Sequence, residues 1–389
     1  MSVGVCIINR NGIALAADSA GSFGGHQMFY NSVNKLFSLS DKSSYGAIIY
    51  NNLNVHQTSL EQIICEFKTF LDSQDELEDF FEISNLFKGF LEGRNDYYKF
   101  PQAEKDYCEG LIKQIVVDWK QKLLLALQQK KALPINKAIN EIKDFYEKVP
   151  KIHGSSFQKY IYDNYRSSYD NILNQDFPGF VRYKKQVNAF WKIITDYFDR
   201  AGPLNSGVFF AGYGKKDAYP KYVHIHLYAV LRGEARIWQE ERYSQENDWK
   251  IAPLAQSDVI MTFCQGISGS LMNQIPDMID KYFDMKIGSF GGSDEGRKAL
   301  RAVFSDCPGA VRGVLDKVVK SEASRTLAFL SVLPLPEMAS FAENLVNITT
   351  LKRTYAIDGN QQTVGGPTDV AVISRGQGFK WIKKEPKYR

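Results

Sequence analysis

Two apolar segments at the start of the chain constrain its fold more than any other feature. They read VGVCIIN and IALAADS, they lie on either side of Asn11-Gly12, and neither alternates between apolar and polar residues. Asn-Gly between two β-prone segments predicts a tight hairpin, because its backbone matches the twist of paired strands. Apolar residues on both faces predict a sheet that is covered on both sides. Since Asp18 ends the second segment, the hairpin returns it to the level of Ser2.

Ser2 becomes a self-contained nucleophile if Met1 is removed. Initiator methionine is normally removed when the next residue is as small as serine, so we expect Ser2 to carry both its hydroxyl and a free α-amine. An α-amine has a pKa of about 7.7 to 8.0, so a useful fraction is unprotonated at neutral pH. That fraction can accept the proton of the Ser2 hydroxyl, and one residue then supplies both nucleophile and base.

Lys35 opens a third apolar segment, Leu36 to Leu39. A lysine at this point would stabilise an alkoxide on Ser2 and favour the neutral amine. Asp18 would orient the lysine and balance its charge. Ser2, Asp18 and Lys35 are therefore candidate catalytic residues.

This arrangement resembles that of proteasome β-subunits and their simpler bacterial relatives. In that family an N-terminal threonine is followed by a strand, a glycine hairpin, an A-A-D that ends the second strand, a lysine that opens the third, and a run of small residues. The spacing from Ser2 to Asp18 equals that of the family, and the spacing to Lys35 is one residue longer. The matching positions are Ser2, Asn11-Gly12, Ala16-Ala17-Asp18, Val33-Asn34-Lys35 and the segment from Gly46 to Asn51.

The chain departs from the family pattern in several places. Serine stands in place of threonine, which loses the methyl group that restricts the side chain. The family's oxyanion-hole glycine falls near Tyr50 or Asn51. A backbone N–H of either residue can still donate, although the side chain would crowd a substrate. The family's aspartate and serine ahead of the last two strands fall near Gln361 and Val364, which cannot do the same chemistry.

The resemblance implies an α+β fold, a four-layer αββα sandwich of two antiparallel sheets of the N-terminal nucleophile (Ntn) hydrolase type. Residues 1–73 and 187–389 would form this sandwich. Residues 74–186 show helical periodicity punctuated by prolines, and we interpret them as a helical insertion. Its aromatic stripes favour a core over a platform for a peptide or partner. A further insertion is expected at about 285–336.

A second β block is predicted over 207–243, ahead of the segment VIMTFCQGISGS. In that segment we expect a strand, VIMTFCQ, then a turn and a helix. The resemblance implies that Ser268 places a hydroxyl, and Gly269 an N–H, beside the nucleophile. Two other interpretations of Ser268 stay open. One is a G-x-S-x-G nucleophile elbow, which lacks its final glycine here, and the other is a helix N-cap.

Several classes of protein are not supported. No phosphate-binding or dinucleotide-binding glycine motif lies between a strand and a helix, so no cofactor is expected. His224 and His226 share a strand face without further ligands nearby, so no metal is expected. A net charge of +4 does not indicate nucleic acid. With no membrane-length apolar stretch and no signal-peptide layout, a cytoplasmic location is expected.

The sequence therefore predicts an N-terminal serine hydrolase that cleaves peptide or other amide bonds through an acyl-enzyme on Ser2, after removal of Met1. Tyr50 or Asn51 would supply the oxyanion N–H. The alternative is a catalytically inactive Ntn-fold protein that serves assembly or binds a partner. The resemblance also implies a peptide or protein substrate and a homo-oligomer. It does not identify an unfolding or adaptor partner.

Overall fold

The computed structural model describes residues 2–23, 26–42, 44–93, 101–128, 132–152, 156–202, 205–245, 249–355 and 364–385. Within these ranges the chain combines helices with antiparallel sheets, as expected for the α+β class. The strands are β1 (Val3–Asn9), β2 (Gly12–Asp18), β3 (Gly21–Phe23), β4 (His26–Tyr30), β5 (Leu36–Ser38), β6 (Tyr45–Asn51), β7 (Asn54–Val55), β8 (Thr58–Ser59), β9 (Ser206–Gly212), β10 (Lys221–Leu231), β11 (Glu234–Ser244), β12 (Lys250–Ala255), β13 (Thr368–Ser374) and β14 (Gly378–Lys383).

Helices follow the first strands and fill most of the middle of the chain. Two short 3-10 helices, Phe80–Glu82 and Ala328–Ser331, accompany them. The α-helices are α1 (Leu60–Asp72), α2 (Ile83–Gly93), α3 (Pro101–Gln128), α4 (Ala132–Glu147), α5 (Gln158–Asn164), α6 (Arg166–Asp176), α7 (Pro178–Val181), α8 (Lys184–Tyr197), α9 (Asp258–Gln265), α10 (Gly269–Gly288), α11 (Asp294–Phe304), α12 (Cys307–Thr326) and α13 (Leu335–Tyr355).

The chain forms two compact units, each with its own five-stranded sheet. The first unit comprises Met1–Leu36, Ala218–Pro220 and Ser244–Arg389, and the second comprises Phe37–Asp217 and Lys221–Tyr243. No helix in the described ranges is both long enough and apolar enough to cross a membrane.

In the first unit the strand order is β12-β1-β2-β13-β14. Every residue of β1 and β2 is buried, as their continuous apolar character predicts. Helix α13 packs on β1, β2 and β13. Its residues Met338, Ala342 and Val346 belong to an apolar cluster that also contains Val5 and Ala14. This core fixes the sheet on which the candidate site is built.

The predicted hairpin is present, but its glycine has a different role from the one expected. Asn9 pairs with Gly12, so the two loop residues are Arg10 and Asn11. Gly12 is already the first residue of β2, with φ of 142°. A Cβ at this position would lie 2.4 Å from the backbone oxygen of Ile373. A glycine is therefore required here for two reasons: the neighbouring strand leaves no room for a side chain, and the backbone conformation is unfavourable for other residues.

Strand β12 was not predicted from the sequence. It pairs antiparallel with β1 along its whole length, from Val3 opposite Ala255 to Ile8 opposite Lys250. Pro253 breaks the usual composition of a strand, because proline cannot donate a ladder hydrogen bond. It is tolerated here because β12 is the edge strand of the sheet.

The predicted strand VIMTFCQ is wrong, because these residues lie in helix α9. A short apolar run cannot be assigned to strand or helix by periodicity alone. Two local features determine the helix here. Asp258 lies in its first turn, where a carboxylate stabilises the helix N-terminus. Gly266 ends it in the left-handed conformation, with φ of 71°.

In the second unit the strand order is β11-β10-β9-β6-β5. Between β10 and β11, Arg232 and Gly233 both have positive φ, which is the conformation of a tight hairpin turn. Helices α1 and α2 pack with this sheet in one apolar cluster, through Phe67, Phe87 and Phe210.

Helices α3 to α8 form a second cluster of buried aromatic and aliphatic side chains. Tyr169 and Trp191, for example, stack at 4.8 Å between ring centroids. The predicted core role of most aromatic residues in this segment agrees with their burial, whereas Tyr162 is 43% exposed.

Candidate active site

The carboxylate of Asp18 is the centre of the candidate site in the first unit. One oxygen, Oδ1, accepts hydrogen bonds from Lys35 Nζ at 2.6 Å and from the Val3 N–H at 3.0 Å. The other, Oδ2, accepts from the Ala20 N–H at 3.3 Å and the Gly365 N–H at 3.2 Å. Four donors from four segments of the chain therefore hold one buried carboxylate.

The hairpin brings Asp18 beside Ser2. Because Gly4 pairs with Ala17, the end of β2 lies level with the start of β1. The bond from the Val3 N–H then ties the peptide that follows Ser2 to the carboxylate. Ser2 itself is buried, and its carbonyl accepts the Gln256 N–H at 3.2 Å.

Lys35 reaches the carboxylate from the end of the segment that precedes β5. That segment is fixed by the Val33 N–H, which donates to the Ser19 carbonyl at 3.0 Å. Lys35 and Asp18 are each 1% exposed. A buried lysine is stable only with an anionic partner and further hydrogen bonds, and Asp18 supplies the charge. The structure thus brings the Lys35 ammonium and the N–H that follows Ser2 to the same carboxylate.

Gly365 and Gly366 complete the carboxylate shell, and the sequence analysis did not assign them this role. Gly366 has φ of 72°, and a Cβ there would lie 2.7 Å from the Ser19 hydroxyl oxygen. That hydroxyl donates to the Pro367 carbonyl at 2.7 Å. The glycine pair in the sequence was the available signal, since close backbone approach to a polar group favours glycine.

The two positions expected to depart from the family pattern give different outcomes. Val364 is fully buried in the apolar cluster under the sheet, where it has no polar chemistry to offer. Gln361 lies outside the described residues, as does Met1. The polar contact on this side of Asp18 comes instead from the backbone of Gly365.

The end of β12 is a second feature that the sequence did not reveal. Ala255 pairs with Val3 and has φ of 61°, a left-handed conformation that is unfavourable for residues other than glycine. This conformation turns the chain so that the next N–H, that of Gln256, reaches the Ser2 carbonyl. A strained backbone residue therefore fixes the peptide at the candidate nucleophile.

Ser268 caps the N-terminus of α10. Its hydroxyl accepts the Leu271 N–H at 3.3 Å, and its backbone has the extended conformation of a cap residue. Gly269 is the first residue of that helix and is exposed. Of the interpretations left open by the sequence, the N-cap is the one that agrees with the hydrogen bond of Ser268. The strand that the family places before this serine is replaced by helix α9.

Tyr50 and Asn51 belong to the second unit, at the end of β6. The Tyr50 hydroxyl hydrogen-bonds with Nε2 of His224. Its ring packs on Gly207, where a Cβ would lie 2.1 Å from the ring. Asn51 has φ of 64°, and its side chain donates to Asn205 Oδ1 at 3.1 Å. The Tyr50 side chain is thus held against its own sheet by His224 and Gly207.

Within the described ranges, no group of three or more His, Cys, Asp or Glu side chains is arranged to hold a metal ion. His224 and His226 do lie together, with ring centroids 4.8 Å apart. Their neighbours are Tyr50, Trp238 and Asn205.

Comparisons with known proteins give a distant result. No protein-family profile matches the chain, and no curated protein matches it in sequence. Among solved structures, the chain is similar to one described as Anbu (ancestral beta-subunit) from Yersinia bercovieri. That alignment covers 99% of this chain and 88% of the other, with a TM-score of 0.33 and 10% identity. A similarity at this level does not establish a shared fold.

Proposed function

We propose that the chain is a proteasome-like N-terminal serine hydrolase that cleaves peptide or other amide bonds through an acyl-enzyme on Ser2. The single observation that carries this proposal is the buried Asp18 carboxylate. It binds both the Lys35 ammonium and the N–H that follows Ser2. This shared carboxylate supports the proposal, because it connects a buried cation to the peptide that follows the candidate nucleophile.

The proposed reaction needs Ser2 to carry the free α-amine, so Met1 must be removed. The α-amine accepts the hydroxyl proton while Ser2 Oγ forms a bond to the substrate carbonyl carbon. Lys35 stabilises the developing negative charge, and Asp18 holds Lys35 in place. The protonated amine then gives its proton to the leaving nitrogen as the amide bond breaks. Water hydrolyses the resulting ester with the same amine as base.

The proposal also assigns roles in binding the oxyanion and the substrate. The backbone N–H of Tyr50 or Asn51 would hold the oxyanion, and Gly269 would contact the substrate. Because Ser268 accepts a hydrogen bond as a helix cap, its O–H remains able to donate to a reacting group.

The proposal also includes the larger architecture. The two five-stranded sheets would be the inner layers of a four-layer αββα sandwich formed by residues 1–73 and 187–389. Residues 74–186, and about 285–336, would be insertions into it. We further propose that the protein assembles as a homo-oligomer, which size-exclusion chromatography with light scattering tests.

One observation favours a second function, that of an inactive assembly or partner-binding protein. The family's oxyanion glycine falls near Tyr50 or Asn51, where no glycine stands, and Asn51 has a left-handed conformation with its side chain bound to Asn205. In this alternative the buried Lys35–Asp18 pair has a structural role only.

Intact mass followed by active-site labelling distinguishes the two functions. Mass spectrometry first establishes whether Met1 is removed. A serine-reactive acylating probe should then label residue 2 in the wild type and in Ser2→Thr, which keeps a hydroxyl. It should label neither Ser2→Ala, which leaves an equally small residue after Met1, nor Lys35→Met.

Ser289→Ala is the matched control, because it removes an exposed serine hydroxyl of the same unit that donates only to the Lys286 carbonyl in the described contacts. It should be labelled at residue 2 like the wild type. A protein that has lost Met1 but is not labelled at residue 2, or a Ser2→Ala variant with full turnover, would refute the hydrolase and support the assembly protein.

A further inference from the structure

The helical part of the second unit carries a cavity, open to solvent on one side, that the proposed hydrolase does not use. Its volume is about 680 Å³, which lies within the range of small-molecule sites. The lining comes from α3, α4, the end of α8 and the segments that follow α4 and α8.

The floor of the cavity is apolar and aromatic. Leu111, Ile115 and Trp119 contribute from α3, and Tyr146 and Val149 from the end of α4 and beyond. Each of these side chains except Val149 is at least nine-tenths buried. A ligand would therefore bury an apolar or aromatic body here.

Two buried phenols give the cavity unused hydrogen-bond donors. Tyr146 is 7% exposed and Tyr197 is 5% exposed, and both line the cavity. The Tyr146 oxygen accepts the Trp119 Nε1–H at 2.6 Å, which leaves its own proton to donate. Neither phenol proton has an acceptor within the ranges that the structure describes. Burial raises the pKa of Tyr146 to about 12, so its proton stays in place at neutral pH.

Charged side chains stand at the exposed rim. Lys122 and Lys148 line the cavity, and neither forms an ion pair with another side chain in the described part of the protein. Lys122 Nζ lies 4.0 Å above the Trp119 ring, so its charge is held over the aromatic floor. Asp118 is the one carboxylate in the lining. Two cations against one anion favour a negatively charged ligand.

We propose that this cavity binds a monocarboxylic acid with an apolar or aromatic body. The carboxylate accepts hydrogen bonds from Tyr146 and Tyr197 and pairs with Lys122 and Lys148, while the body lies on Trp119 and its aliphatic neighbours. Ammonium and phenol groups suit this ligand because they donate to an anion and offer it no competing acceptor at neutral pH.

Isothermal titration calorimetry with octanoate and octanol tests this proposal on the full chain. The two probes share their apolar body and differ in charge. Octanoate should bind with an affinity at least about tenfold higher than octanol. In Lys122→Gln/Lys148→Gln the octanoate affinity should fall about tenfold, with octanol unchanged, and Tyr146→Phe should also weaken octanoate.

The matched control is Lys113→Gln/Lys143→Gln. It removes two lysines from α3 and α4 that pair with Asp176 and Glu147 and do not line the cavity. It should bind octanoate like the wild type. Octanoate should also change the fluorescence of the wild type but not that of Trp119→Phe. Equal affinity for the two probes, an absence of saturable binding, or the same affinity in both lysine variants would overturn the proposal.

Discussion

Lys35 and Asp18 form an ion pair that is almost entirely removed from water, with Nζ and Oδ1 2.6 Å apart. The pair joins the end of β2 to the segment before β5, and so connects the hairpin to the rest of the first unit. Charges in this position are costly to leave alone, since the surviving partner keeps its desolvation penalty.

Lys35→Met should therefore lower the free energy of unfolding by about 3–5 kcal/mol, measured by urea denaturation. The comparison is Lys68→Met. Lys68 and Asp41 are also 2.6 Å apart, but their side chains are 31% and 77% exposed. Loss of that pair should cost no more than about 1 kcal/mol. Equal effects of the two substitutions would show that burial does not determine the strength of the Lys35–Asp18 pair.

Ala255→Gly should leave stability unchanged or raise it by up to about 1 kcal/mol, because it relieves the left-handed alanine beside Ser2. Ala252→Gly in the same strand is the control, because Ala252 does not have a positive φ. This variant should lower the free energy of unfolding by about 1 kcal/mol. Thermal unfolding of both variants measures the difference. If Ala255→Gly loses as much stability as Ala252→Gly, the backbone of Ala255 is not strained.

Arg236 is 1% exposed and caps the end of α8. Its guanidinium donates to the carbonyls of Phe198 at 2.5 Å, Tyr197 at 3.0 Å and Arg200 at 2.6 Å, and to the Tyr107 hydroxyl at 3.1 Å. Lysine cannot supply this fork of donors. Arg236→Lys should thus cost about 2–4 kcal/mol in a denaturant titration.

Arg325→Lys serves as the control for Arg236. Arg325 is an exposed arginine on α12 that pairs with Glu322, so the same exchange should change stability by less than about 1 kcal/mol. Similar costs at the two positions would mean that the carbonyl cap of α8 contributes little.

His56 should make stability depend on pH. Burial is the main cause that lowers the pKa of His56 below its ordinary value, against an opposing contribution from its hydrogen bond with Val230. The unfolded chain takes up the proton near its ordinary pKa of about 6.5, and the folded chain only at lower pH. Between these values the unfolded state binds more protons, so the free energy of unfolding falls as pH falls.

Urea titrations between neutral and mildly acidic pH measure this slope. His56→Gln should be less stable at neutral pH but should lose much of the decline on acidification. An unchanged pH slope in the variant would place the titrating group elsewhere in the chain.

Side chains with a fixed position relative to strand ends were predictable from the sequence. Asp18 ends an apolar segment, so the hairpin itself predicted its position level with Ser2, whereas Lys35 was assigned to it through its charge and the resemblance to proteasome β-subunits. The backbone donor at Gly365 was not predictable, because every residue carries an N–H and only the tertiary fold decides which one reaches a carboxylate. Strand β12 was not predicted because it contains Pro253. A proline is tolerated in a strand at the edge of a sheet, and the sequence does not reveal which strand lies there. Helix α9 was not recognised because it is short, since a seven-residue segment with five apolar side chains suits either period.

The carboxylate shell of Asp18 also sets an order in time. Val3, Ala20 and Lys35 leave the ribosome early, whereas Gly365 follows more than three hundred residues later. Strand β13, which pairs with β2 and places Thr368 opposite Asp18, comes later still. A nascent chain therefore carries Ser2 for most of its synthesis without a finished site around it. If the protein is a hydrolase, its own length delays the moment at which it can first attack a bond.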